Sequence, residues 1–136
     1  MMHAFSWPVR VYYEDTDAAG VVFYANYLKF MERARTEWLR ALGFEQTALS
    51  DEHDVVFVVR ALTIEFLRPA LFNDMLDVTV EFTGARGSLI ELAQTVRRGR
   101  DTLVTSQVKV ACVNTRSFKP VRIPKAIIVK LAARQG

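Results

Sequence analysis

One cysteine and two histidines are all that this 136-residue chain holds of the residues most used as thiol nucleophiles, proton shuttles and soft metal ligands. Cys112 has no partner for an internal disulfide. It sits in VKVACVNT, a strand-like run in which a buried structural thiol is expected, and no histidine stands near it in sequence to activate it. With His3 and His53 as the only imidazoles, a histidine-rich metal site is excluded, and a thiolate zinc site with it. Proline and glycine are sparse too, at 4 and 6, and they form no linker, repeat or low-complexity tract. One domain over residues 1–136 is therefore expected, large enough to bury most of its core. No apolar run approaches the roughly 20 residues that a membrane helix needs. The start, MMHAFSWPVRVYY, lacks the charged n-region, apolar middle and small-residue cleavage site of a secretion signal, so the expected compartment is the cytoplasm.

What is present is a globular composition, 51% hydrophobic and 24% charged. The net charge of +3 is unevenly spread: residues 1–68 carry 7 Lys/Arg against 10 Asp/Glu, and residues 69–136 carry 11 against 5. A basic second half suits a phosphorylated or otherwise anionic partner; a solvated face with an uneven balance explains it as well. Nucleic acid fits less well. The basic residues fall at strand spacing rather than along a helix, and no binding motif accompanies them.

The chain opens with a strand, FSWPVRVYY, in which Pro8 is tolerated only near an edge or a strand start. From about Tyr24 to Leu42 the period becomes helical: Tyr27, Met31, Ala34, Trp38 and Leu42 recur at steps of three and four, with Phe30 beside them. Lys29, Glu32, Arg33, Arg35, Glu37 and Arg40 fall on the opposite face, and Gly43 offers a left-handed cap. A polar loop from Glu45 to Asp54 comes next. Strands are then expected in VVFVVRALTIEFLRPA, in Leu76–Phe82, in Leu89–Arg97 and in Leu103–Thr115, joined by turns in TGARGS and RRGRD. One long helix against an antiparallel sheet gives an α+β class; a ferredoxin-like sandwich would need a second helix between strands. A long central helix wrapped by a curved sheet of about five strands is the hotdog arrangement. The apolar run Val55–Ile64 would be an aggregation hazard unpaired, and homodimerisation is the expected remedy.

Chemistry concentrates in YEDTDAAGVVFYANY, Tyr13 to Tyr27. Asp15 and Asp17 precede the helix by about a turn and a half, and both are residues that build turns and caps. A second reading rests on the residues just after them. Ala18, Ala19 and Gly20 leave room for close approach of a ligand, and the helix start near Tyr24 offers unpaired N–H groups to a developing oxyanion. A carboxylate beside such donors is the minimum equipment for attack on an acyl carbonyl.

The stretch VYYEDTDAAGVVFYANYLKFMERARTEWL closely resembles the hotdog thioesterases of the 4-hydroxybenzoyl-CoA thioesterase superfamily, most of all the YbgC-like, Tol–Pal-associated branch. The shared pattern is Asp-x-Asp-x-x-Gly-(Val/Ile)-Val followed by Asn-Tyr entering a long helix. It continues through FVVRALTIEFLRPALFNDML, the ARGS turn and KPVRIP. The resemblance implies hydrolysis of small to medium acyl-CoA thioesters without metal or cofactor. It makes Asp17 the catalytic carboxylate, as nucleophile or as general base, and the backbone N–H of Tyr24 the carbonyl-polarising donor. Asp15 is left to shape the turn. Gly20, Val21 and Tyr27 are implied at the acyl end of the substrate, Tyr27 as core or tunnel wall. Arg86, Ser88 and Arg60 are implied at the CoA end, with Arg122 behind them. A homodimer or tetramer is implied as well. Many members of the branch have histidine where this chain has Tyr24, so an imidazole role is closed here while a backbone role is not. An acyl-carrier-protein thioesterase and a non-catalytic acyl-CoA or partner-binding hotdog protein are the alternatives; the intact DTDAAG weighs against a pure binder.

Overall fold

The computed structural model describes residues 5–135, so His3 lies outside the described residues. The chain runs β1 (Phe5–Arg10), a 3-10 turn (Tyr13–Asp15), α1 (Asn26–Ala41), α2 (Gln46–His53), β2 (Val55–Phe66), β3 (Met75–Arg86), β4 (Leu89–Arg98), β5 (Asp101–Asn114) and α3 (Lys125–Gln135). The strands form one antiparallel sheet in the order β1-β3-β4-β5-β2. β1 and β2 are thus the two edges, and Pro8, which has no N–H to give a ladder, sits on the edge strand β1.

α1 forms where the apolar residues repeat at three and four. Tyr27, Phe30, Met31, Ala34, Trp38 and Leu39 are buried along one side. It ends in a Schellman closure: Phe44 N–H donates to Leu39 O at 2.9 Å and Gly43 N–H to Arg40 O at 3.0 Å, with Gly43 at φ +95°. Only a residue without Cβ takes that conformation cheaply. The sheet meets α1 with every second residue, as the period of a half-buried strand requires. Leu76, Val78 and Val80 of β3 and Ile90, Leu92 and Val96 of β4 are all within 2% of full burial. This is the hotdog arrangement, helix within sheet.

Four local expectations are corrected. The segment from Glu45 to Asp54, read as loop, contains α2; it buries only Leu49, so it carries almost no helical pattern to read. The C-terminal helix α3 was not expected at all. It comes after Pro124, seats Ile127 and Leu131 in the core, and its lead-in is tied to the β3–β4 turn by Ile123 N–H on Gly87 O at 3.1 Å. Arg35, placed on the solvated face by spacing, is half-buried and donates to the side chain of Gln94 at 2.9 Å. The turns are also shorter than expected, Gly87–Ser88 and Gly99–Arg100, and Gly84 lies inside β3 at a register shift.

Phe30 is 0% exposed at the centre of the helix–sheet contact. Phe30→Ala should lower the free energy of unfolding by about 3–5 kcal/mol in urea titration, whereas the same truncation at exposed Phe118 should change it by less than about 0.5 kcal/mol.

Candidate active site

Between β1 and α1 the chain makes a small hydrogen-bonded reversal. Asp17 N–H donates to Val21 O at 2.9 Å, Gly20 N–H to Asp17 O at 3.0 Å, and Phe23 N–H to Asp15 O at 3.0 Å. Thr16 and Val22 form an isolated antiparallel bridge between the two arms. Gly20 takes φ +82° at the tip, a conformation that strains any side chain. The reversal is why acidic residues and an apolar run abut without a spacer: the acids form one arm and the apolar residues the other.

The two aspartates sit in different environments. Asp15 is buried; its Oδ2 accepts Tyr12 N–H at 2.8 Å, and Asn26 Nδ2 donates to its backbone O at 3.0 Å. Asn26 is the first residue of α1, so this bond fixes the helix start against the turn. Asp17 is exposed, and its Oδ1 accepts only Ala19 N–H, at 2.9 Å. The rest of its carboxylate is open. At the helix start, Asn26, Tyr27 and Leu28 N–H donate to Phe23, Tyr24 and Ala25 carbonyls, and no side chain caps Ala25. Among the described residues the N–H groups of Tyr24 and Ala25 have no acceptor, which leaves them as the open donors of this end.

A second loop, residues 67–74, holds this junction from the other side. Val22 N–H donates to Ala70 O at 2.9 Å, Val21 bridges Leu71, and Ala70 N–H donates to Tyr27 Oη at 2.9 Å. Burial pushes the Tyr27 phenol above its usual pKa, so it stays neutral as an acceptor there. The loop itself is closed by Asp74, whose Oδ2 accepts Leu71 N–H at 2.9 Å and Arg98 Nη1 at 2.7 Å. Sequence reasoning had no signal for Arg98: its partner is 24 residues away and the contact exists only once β3 and β4 pair. Tyr24, Tyr27 and Phe66 line a cavity of about 230 Å³ beside the junction, and the Tyr24 side chain is 63% exposed, edge-on to Phe66 at 6.0 Å.

The residues implied at the CoA end are elsewhere. Arg86 and Ser88 lie at the β3–β4 turn, and Cys112 N–H donates to Ser88 O at 2.8 Å, while the junction packs at the start of β3. β3 is 12 residues long, so the two groups are separated by roughly 35 Å of strand within one chain. Arg122 lies beside Arg86, through the Ile123–Gly87 bond. Arg60 is the extra residue of a bulge in the middle of β2 and is exposed. One chain therefore brings together Asp17, Gly20, Val21, Tyr24 and Tyr27, and separately Arg86, Ser88 and Arg122, but does not bring the two sets to one place. Cys112 is fully buried, and burial pushes its thiol up to about 11. No group of His, Cys, Asp and Glu among the described residues could hold a metal ion, and no helix among them is long and apolar enough to cross a membrane.

Known proteins match this chain over nearly its whole length. A model of the thioesterase superfamily matches residues 19–105, a span that opens two residues after Asp17. The chain is 47% identical over 127 residues to the acyl-CoA thioester hydrolase YbgC of Escherichia coli O6:H1, covering 93% of this chain and 94% of that protein. It is 47% identical over 125 residues to the acyl-CoA thioesterase YbgC of Haemophilus influenzae, covering 92% of each. Among solved structures, a probable thioesterase from Bartonella henselae superposes with a TM-score of 0.86 at 37% identity, over 90% of this chain and 100% of that one.

Two measurements test this geometry. A thiol raised to about 11 is almost wholly protonated at pH 8, so Cys112 should resist iodoacetamide in the native protein and react fully in denaturant, read by mass spectrometry. Asp74→Ala removes the acceptor of both Leu71 N–H and Arg98, and should cost about 1–3 kcal/mol in urea unfolding while loosening residues 67–74 in amide hydrogen exchange.

Proposed function

The chain belongs to the thioesterase superfamily and is an acyl-CoA thioester hydrolase, and from that premise we propose that Asp17 is the group that opens the thioester. The observation that carries the proposal is the reversal itself. It presents one open carboxylate and the unpaired N–H of Tyr24 from the two arms of a single hydrogen-bonded loop. The thioester carbonyl oxygen rests on the Tyr24 N–H, at the positive end of α1, where negative charge develops during attack. Asp17 then acts in one of two balanced ways. Its oxygen adds to the carbonyl carbon and the C–S bond breaks, giving a mixed anhydride and CoA thiolate, and water cleaves the anhydride. Otherwise it takes a proton from a water that adds directly, and the thiolate leaves in the same way. A thiolate leaves readily, which is why so few groups suffice. Nothing in either route uses the Tyr24 side chain, so tyrosine in place of histidine there is compatible with the reaction.

The separation of Asp17 from Arg86 within one chain motivates the second half of the proposal. β2 is a 12-residue edge strand with Val58, Val59 and Phe66 exposed. Two copies joined antiparallel along β2 about a two-fold axis would set the Phe66 end of one beside the Val55 end of the other. Phe66 borders the Tyr24 junction, and Val55 pairs Asn114 near the Arg86–Ser88 turn. The acyl end of a substrate would then meet Asp17, Gly20, Val21, Tyr24 and Tyr27 of one copy. Its CoA phosphates would meet Arg86, Ser88 and Arg122 of the other, with Arg60 near the axis. The same cations would suit an acidic acyl carrier, so both substrate forms belong in the assay.

Asp17→Asn should lower kcat for acyl-CoA hydrolysis by roughly 10²–10⁴ with little change in KM, measured by thiol release; turnover at the wild-type rate would remove Asp17 from the reaction. If the site is shared, co-expressed Asp17→Asn and Arg86→Ala chains should recover about a quarter of wild-type activity at subsaturating acyl-CoA, since half the dimers are mixed and each restores one of two sites. Recovery no greater than the sum of the two parents would place both groups' work within one chain.

A further inference from the structure

A second cavity, of about 300 Å³, lies between the C-terminal half of α1 and the sheet and has no part in the proposed hydrolysis. Trp38 and Leu39 from α1, Phe57 from β2, and Ile90 and Leu92 from β4 make its apolar walls, and Glu32, Thr36 and Gln46 add polar groups to the lining. One cationic side chain, Arg35, lines it. Arg35 lies nine residues beyond the start of α1, roughly 14 Å along the helix axis from the end that carries the Tyr24 donor.

Arg35 is held from behind. Its Nη1 donates to Gln94 Oε1 at 2.9 Å, and Gln94 is itself 0% exposed, with Nε2 donating to Met31 O at 3.1 Å and Thr79 O at 3.2 Å. The Gln94 contact is the one hydrogen bond Arg35 makes among the described residues, out of the five N–H donors of a guanidinium. No carboxylate among them lies within 4.0 Å of it; Glu32, which also lines the cavity, is exposed and remains outside that distance. Burial accordingly lowers the Arg35 pKa, with Glu32 opposing that shift. A half-buried guanidinium with a fixed direction and spare donors, set in apolar walls, is complementary to an amphiphile that ends in a carboxylate.

We propose that this cavity is a binding site for a small organic acid in its anionic form, with the apolar body against Trp38, Leu39, Phe57 and Leu92 and the carboxylate on Arg35. A volume of about 300 Å³ is at the lower end for small-molecule sites, which suits benzoate or hexanoate and not a long fatty acid. A free carboxylic acid is also one of the two products of thioester hydrolysis, so the product class is a natural occupant. The inference does not depend on the role given to Asp17.

The test is a titration of ¹⁵N-labelled protein with sodium benzoate and sodium hexanoate, beside the neutral benzamide and hexanamide. The reporters are the Trp38 indole N–H, in the cavity wall, and the Gln94 side-chain amide, which holds Arg35 from behind. The acids should shift both signals in the wild type and in Asp17→Asn alike, and the neutral amides should not. Arg35→Met keeps the aliphatic stem and removes the charge, and should raise Kd by roughly ten-fold or more. Should that variant not fold, Thr36→Phe, which narrows the cavity from a half-buried wall position on α1, away from the β2 edge, should weaken binding likewise. Acids that leave both reporters unmoved, equal binding of acid and amide, or a Kd unchanged in a folded Arg35→Met or Thr36→Phe would overturn the proposal.

Discussion

The position of α1 on its sheet is set by one buried amide. Gln94 stands at the middle of β4 and reaches three neighbours at once: Met31 O on α1, Thr79 O on β3 and the Arg35 guanidinium. Ser106 of β5 adds to the same node, donating to Gln94 O at 3.0 Å and lying 3.2 Å from Met31 Sδ. Apolar helix–sheet contacts are nearly indifferent to small slides and rotations of the helix, because dispersion and area burial are non-directional. A satisfied polar node in a dry interior is not, since any displacement leaves donors and carbonyls unpaired at a cost of about 1–3 kcal/mol each. The node therefore fixes which way α1 is turned. That phase sends Tyr27 toward Ala70 and Arg35 into the cavity at the other end.

With the helix phase fixed, the two aspartates of the junction are divided by their hydrogen bonds. The buried Asp15 carboxylate is engaged at both oxygens, Oδ2 by Tyr12 N–H at 2.8 Å and Oδ1 by Asn26 Nδ2 at 3.4 Å. Asp17 keeps most of its carboxylate free at the exposed end of the reversal. A buried carboxylate already engaged by hydrogen-bond donors at both oxygens is a poor nucleophile, and an open one on the same reversal as unpaired amides is a good candidate. Asp15 builds the turn, and the open carboxylate is left to its neighbour two positions on.

Much of this was legible in the sequence, and the reasons it was are local. Phe30, Met31, Ala34 and Trp38 announce α1 by period alone, Gly43 announces its end, and the β-branched runs announce four strands. What was not legible depends on pairing across distance. Arg35 falls among charged residues on the helix wheel, and only a glutamine on β4, 59 positions later, turns it inward. Arg98 meets Asp74 only because two strands align. α2 has a single buried residue to signal it, and α3 exists because Ile127 and Leu131 find a core built by the rest of the chain. The candidate site divided in the same way. Asp17 and Tyr24 could be placed on one loop from spacing, whereas the separation of Arg86 from that loop by the length of β3 needs the sheet register.

The two edges of the sheet are treated unequally, and that inequality bears on the site. β1 is 6 residues long and carries Pro8, a short, blunted edge of the sort that discourages further pairing. β2 is twice that length, free of proline, and rich in exposed apolar side chains, with only the bulge at Arg60 to interrupt it. A chain under pressure to stay monomeric would have gained most from blunting β2, the more adhesive edge. The protection lies on the other side, so the two-copy pairing proposed above falls on the unblunted edge. Exposure of Asp17 in the isolated chain is then what such an arrangement requires: an electrostatic site works best when it is dry, and a neighbouring copy seated at the Phe66 end of β2 is the element that would exclude water from it. The edge on which the proposed dimer would form is also the one that ends beside the Tyr24 junction.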